Sequence, residues 1–157
     1  MLEIQVLTIG FDEIKKVWEN FLWPERQSAI EPVSWISPQG LIDMEMKLGE
    51  PTFVGMFDFE KKLQGVVSGY STSSDYYRSR GLWVSPDYRQ KGVGRLLMSQ
   101  LMTHARQEGH AYIWTMARHS SVGFYQKAGF ETYKQTDQYE FGPHYLMEKR
   151  TESSSEK

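Results

Sequence analysis

The chain has 157 residues, 39% hydrophobic and 24% charged, with a formal net charge of −2 and no cysteine. It is long enough to bury an ordinary core, and its composition is globular, but it offers no disulfide, thiolate metal site or cysteine nucleophile and no concentrated positive surface for nucleic acid. No apolar run nears the roughly 20 residues of a membrane span, and the start MLEIQVLTIGFDEIKK lacks a secretory layout, so a cytoplasmic setting is expected.

In chain order, LEIQVLT alternates apolar and polar residues from Leu2, a half-buried strand pattern. Phe11, Ile14, Val17, Trp18, Phe21 and Leu22 then share one helical face, and Pro24 stops the helix. From Glu25 to Glu50 the pattern is broken by Pro32, Pro38, Gly40 and Gly49, which predicts loop with one short helix near LIDMEMKL. TFVGMFDFE and LQGVVSGYST read as a hairpin, and YYRSRGLWVS as a further strand ending before Pro86.

A helix follows, with Val93, Leu96, Leu97, Leu101, Met102 and Ala105 at helical spacing and Gly109 as its C-terminal cap. AYIWTMA is a strand. SSVGFYQKAG is a short helix with serine at its start and Gly129 past its end, and FETYKQTDQY and HYLMEKR are the last strands. The strand–helix–strand step predicts a parallel crossover within an otherwise antiparallel sheet. The expected fold class is therefore α/β (α+β by some schemes), one domain over residues 1–150. A polar tail, 151–157, is expected to be disordered.

The most informative stretch is DYRQKGVGRLLM, Asp87–Met98. Gly92 and Gly94 each weaken a helix by about 1 kcal/mol relative to alanine, so either something local compensates or they serve something other than helix stability. They open a helix directly after a strand, where unpaired amides and the positive end of the helix dipole converge. Arg89, Lys91 and Arg95 add charge at the rim, and a phosphate or pyrophosphate is the natural guest. The dinucleotide motif would need glycine at Leu97, and the P-loop would need Lys-Ser/Thr at Arg95-Leu96.

Arg89-x-x-Gly92-x-Gly94, preceded by LWVSPDY and followed by an amphipathic helix, resembles the acyl-CoA signature of the GNAT superfamily of N-acetyltransferases. GFYQKAGF, Gly123–Phe130, resembles the second hallmark of that family. The resemblance implies the acyl-CoA N-acyltransferase fold, a mixed, mostly antiparallel sheet of about seven strands flanked by helices. It implies acetyl-CoA (coenzyme A) as cofactor, with the amides of Gln90, Lys91, Gly92, Val93, Gly94 and Arg95 on the pyrophosphate. Arg89 would stand at the loop's edge, and backbone groups of Leu82, Trp83 and Val84 would pair with the pantetheine arm in a splay between the fourth and fifth strands. An amine would attack the thioester directly, in a ternary complex. Tyr125 aligns with the family's general acid and would also contact the cofactor; a phenol of ordinary pKa near 10 suits proton donation to a leaving thiolate.

The pattern also departs from the family. An ammonium must lose its proton before attack, at a cost of about 4.6 kcal/mol at pH 7. Many relatives carry a glutamate eleven positions before the motif, where this chain has Arg78. His144, in FGPHYLM, is a candidate base, or a structural histidine. Arg118 stands where asparagine often contacts the pantetheine arm, and is expected either to bind the cofactor by reaching a phosphate or to be solvated. Arg78 and Arg80 share a strand face and either bind an acceptor anion or form surface pairs. His104 and His110 are expected at the surface, His119 near the cofactor, and no histidine spacing suggests a metal.

The expected function is acetyl transfer from acetyl-CoA to a primary amine, a small molecule rather than a protein, by a monomer or homodimer without nucleic-acid or membrane partners. The alternatives are an acyl-CoA-binding member of the fold without turnover and a module gripping another phosphate ligand.

Overall fold

The computed structural model describes residues 4–152; Met1–Glu3 and the tail beyond Glu152, including most of the expected disordered segment, lie outside the described residues. Seven strands form one sheet in the order β1-β2-β3-β4-β5-β7-β6. They are β1 (Gln5–Ile9), β2 (Thr52–Phe57), β3 (Leu63–Ser71), β4 (Tyr76–Val84), β5 (Tyr112–Arg118), β6 (Glu131–Thr136) and β7 (His144–Arg150). The helices are α1 (Phe11–Val17), α2 (Val93–Gln107) and α3 (Val122–Lys127). As the crossover pattern predicts, β4 and β5 are parallel, and the other recorded pairings are antiparallel. Among the described residues no helix is long and apolar enough to cross a membrane.

The chain forms two compact units. The first comprises Met1–Pro32, Pro51–Gly69 and Ser79–Leu101; the second comprises Val33–Glu50, Tyr70–Arg78 and Met102–Lys157. In the first, Ile9, Ile14, Val17, Trp18, Phe53, Val66 and Trp83 make the core, with Phe11, Leu22 and Trp23 packed against it. In the second, Tyr70, Ile113, Trp114, Leu146 and Met147 are fully buried.

Two expectations need correction. The predicted first helix changes pitch at Trp18: Trp18–Leu22 is a π-helical turn, closed by Trp23 N donating to the Trp18 carbonyl at 2.7 Å. The wider turn shifts the phase of the apolar stripe, so Phe21 is 59% exposed and stacks on Trp83 at 5.0 Å instead of entering the core. The short helix near LIDMEMKL is absent. Ile36 bridges Ile42 there, Gly40 has φ +84°, and the Asp43 carboxylate accepts the Glu45 amide. A local side-chain bond of that kind competes with helix, and Leu41, Ile42 and Met44 are exposed, so no apolar face rewards one.

Candidate active site

In the first unit the glycine turn is built from its flanks inward. Ser85 closes the end of β4 by donating its amide to the Gln64 carbonyl at 2.8 Å, and a 3-10 turn, Pro86–Tyr88, follows. Tyr88 hydrogen-bonds the Asp58 carboxylate, and its pKa is raised by burial and then by that charge. Asp58 accepts the amides of Glu60 and Lys62 and the side-chain amide of Gln64, and the Lys62 amide foremost holds its pKa below the usual value. The hairpin β2–β3 thereby braces the turn through one carboxylate.

Beyond Tyr88 the backbone turns left-handed at Gln90 (φ +60°) and Gly92 (φ +87°). The first bond of α2 runs from the Leu96 amide to the Gly92 carbonyl at 3.0 Å, so the amides of Val93, Gly94 and Arg95 precede the helical ladder. A Cβ on Gly92 would meet nothing within 4 Å, so the space before these donors is open. Arg89, Gln90, Lys91, Gly92 and Arg95 are exposed, Gly94 is half-buried and Val93 anchors the helix in the core. Arg89 is partly committed: its Nε donates to the Val84 carbonyl at 2.7 Å. Lys91 Nζ lies 5.8 Å from the Tyr88 ring centre. Exposed amides, a positive helix end and flanking cations fit a pyrophosphate.

The preceding strand contains a feature the sequence did not disclose. Gly81 has φ +74°, and a Cβ there would lie 2.4 Å from the Trp18 indole carbons. Trp18 Nε1 donates to the Gly81 carbonyl at 2.9 Å, locking the ring under the strand. The glycine breaks strand regularity just before Leu82, Trp83 and Val84, of which Trp83 is buried and the other two half-buried. A lone glycine inside the strand YYRSRGLWV was the available signal. Arg80 is not a surface residue: it is 5% exposed, its guanidinium faces Trp18 and Trp23, and Nη1 donates to the Glu31 carbonyl at 2.9 Å. It braces the aromatic core of the first unit.

In the second unit the parallel ladder of β4 with β5 runs from Tyr76–Tyr112 to Arg78–Trp114. Arg78 is 4% exposed and lies 4.9 Å from the Trp114 ring centre, so it too makes no surface pair. Tyr125 is buried on α3, edge-on to Phe124 at 5.1 Å and to Phe130 at 5.2 Å. Gly129 (φ +98°) ends that helix, and the Phe130 amide returns to the Tyr125 carbonyl at 2.9 Å. Arg118 lies directly across from His144 in the β5–β7 pairing and over the Phe141 ring at 4.7 Å; burial pushes its pKa down. His144 is buried, and burial first, then the charges of Arg118 and Arg78, lower its pKa. Its neutral form is thus favoured, at the expense of basicity.

The other histidines separate. His119 is exposed, beside Tyr145. His104 is half-buried, whereas His110, expected at the surface, is buried with Nε2 2.9 Å from the Ser71 hydroxyl. It comes after the helix cap at Gly109, where the chain turns back into β5.

The profile of the Acetyltransferase (GNAT) family matches residues 14–130. The chain belongs to the GNAT acetyltransferase family. Solved structures agree with this GNAT protein in fold. An aminoglycoside 6′-N-acetyltransferase complexed with coenzyme A has a TM-score of 0.70 at 15% identity, covering 95% of this chain and 98% of that one. Ard1 from Thermoplasma volcanium gives 0.68 at 18% identity, covering 94% and 97%. The ribosomal-protein-S18-alanine N-acetyltransferase from Escherichia coli gives 0.63 at 13% identity, covering 98% and 97%. No curated protein matches the sequence.

Proposed function

We propose that this GNAT protein is an N-acetyltransferase that uses acetyl-CoA to acetylate a primary amine on a small molecule. The observation that carries the proposal is the exposed left-handed turn at Gln90–Gly92, with clear space at Gly92 and the amides of Val93–Arg95 ahead of the α2 ladder. These amides, with Lys91 and Arg95, would hold the pyrophosphate, and backbone groups of Leu82 and Trp83 would hold the pantetheine arm. Val84 would join them, since its carbonyl keeps a second lone pair after accepting from Arg89. Bound acetyl-CoA supplies the acyl group in activated, thioester form. A coenzyme A complex of a protein with this fold supports the cofactor class.

Tyr125 is the group we assign to protonate the departing sulfur: burial among Phe124 and Phe130 fixes its ring, and a phenol is neutral at pH 7. His144, favoured in its neutral form, can accept a proton from the amine, directly or through water. Arg118, beside it, adds positive charge and disfavours an ammonium at the same place.

The test is a calorimetric titration with acetyl-CoA, repeated with ATP and NAD. Saturable binding to acetyl-CoA alone is expected, and an equal response to all three would favour a general phosphate module. Thiol release across an amine panel then reads turnover against a clean background, since the chain has no cysteine. A second reading, acyl-CoA binding without turnover, draws on the buried Arg78 where relatives carry a glutamate. Tyr125→Phe separates the two: an acetyltransferase should lose roughly 10²-fold in kcat or more, while saturable acetyl-CoA binding persists.

A further inference from the structure

The second unit buries Arg78 with donors left open among the described residues. Arg78 pairs in register with Trp114, Trp114 with Glu148, and Arg118 with His144. Side chains alternate across a strand and direct cross-strand pairs share a face, so Arg78, Arg118 and His144 project to one face of the sheet. Arg78 is 4% exposed, and neither Nε nor Nη1 has a hydrogen-bond partner among the described residues. His144 is 5% exposed, and its Nδ1 is likewise unpartnered. The carboxylate in the same rows, Glu148, accepts the Tyr76 hydroxyl at 3.3 Å and makes no ion pair with Arg78 among the described residues.

Part of this face is roofed. A Cβ on Gly40 would lie 2.8 Å from Leu146 Cδ1, so the 33–50 segment runs directly over the residue between His144 and Glu148 on that face. The Tyr139 hydroxyl and the Gln138 amide hold that segment by donating to the Gly40 carbonyl.

A guanidinium cannot shed its proton. Burying it with open donors is unfavourable unless a negative group arrives to meet them. An ammonium would be repelled from the same spot. Trp114 and Leu146 are apolar and Glu148 in the same row is negative; both favour a single charge on the incoming group, because a dianion loses more hydration on entry and meets more repulsion. We infer that Arg78 is the seat for a carboxylate carried by the acceptor, so that the acceptor class is an amine bearing a carboxylate, its amine end held away from Arg78. Arg118 adds long-range attraction. The identity of the ligand as an acceptor rests on the acetyl-transfer function proposed above; the anion seat itself does not.

Two experiments separate these. The first titrates the full chain with sodium propionate at constant ionic strength, following the Trp114 indole and His144 ring resonances by NMR. A saturable shift is expected in wild type, none in Arg78→Met, and at least ~10-fold weaker binding in Arg78→Lys, which keeps the charge and loses the planar donors. No saturable shift in wild type, or an equal one in both variants, overturns the seat. Inorganic phosphate binding more tightly than propionate overturns the carboxylate assignment. The second compares amino acids with their decarboxylated amines in the thiol-release assay. A preference of at least ~10-fold in kcat/KM for the carboxylates, carried by KM and erased in Arg78→Lys, is expected. Equal rates for the matched pairs overturn the acceptor class and leave acetyl transfer standing. Propionate binding with no thiol release from any amine supports the seat but sinks the transferase function, and the acceptor assignment with it.

Discussion

Gly81 and Gly92 share a backbone conformation that L side chains rarely adopt, φ +74° and +87°, yet they stand in opposite surroundings. A Cβ on Gly81 would enter the indole of fully buried Trp18; a Cβ on Gly92 would meet nothing. The first glycine is required by packing inside the protein. The second leaves clear a surface that the protein itself does not fill, which is what a ligand-binding turn needs. The same residue type at a similar dihedral thus serves packing in one place and leaves open surface in the other.

The difference can be broken or sharpened by substitution. Gly81→Ala should have the largest effect, a loss of roughly 3 kcal/mol or more in folding stability, because strain at positive φ adds to overpacking against Trp18. Urea denaturation measures it, and a loss below about 1 kcal/mol would mean the indole moves aside. Gly92→Val should reverse the balance. It should weaken acetyl-CoA binding roughly 10²-fold or more, about 2.7 kcal/mol, while stability falls only by the cost of a non-glycine residue at positive φ, about 1–2 kcal/mol. Wild-type affinity in this variant would remove the turn from the cofactor site.

A double-mutant cycle sharpens the Gly81 side. In a Trp18→Leu background, Gly81→Ala should cost about 2 kcal/mol less than it does alone, leaving chiefly the dihedral term. Additivity within ~0.5 kcal/mol would place the strain elsewhere.

The smallest effect concerns pH and the second unit. The pKa of His144 is lowered by burial, then by Arg118 and Arg78. The unfolded chain therefore takes up this proton more readily than the folded one. The stability associated with His144 is present above its unfolded pKa of about 6.5 and is lost as pH falls below it. Between about pH 7.5 and 5.5 that loss cannot exceed about 1.4 kcal/mol for one group. His144→Gln should flatten that part of the stability profile; an unchanged slope would assign it to other groups.

Much of the fold was legible because its signals are local. Alternation marked β1 and strand-like runs bounded by turn residues marked the other six, while glycine after an apolar stripe located the ends of α2 and α3 at Gly109 and Gly129. The glycine turn was legible too, since two glycines between a strand and a helix start weaken the helix and mark a local feature. What misled was periodicity where a local bond or a change of pitch intervened, as at Asp43 and at Trp18–Leu22.

The candidate acceptor residues divide differently. Sequence spacing put Arg78 and Arg80 on one strand face but could not say whether either was solvated. Their fates depend on partners distant in the chain: Trp114 for Arg78, and Trp18, Trp23 and Glu31 for Arg80. By itself the sequence determined the elements, the glycine turn and the family resemblance, because these are fixed by neighbours within a few residues. Only the tertiary structure decided which cations are buried, which of their donors stay open, and which glycine is held by a tryptophan, because burial and pairing are set by residues that meet only when the chain folds.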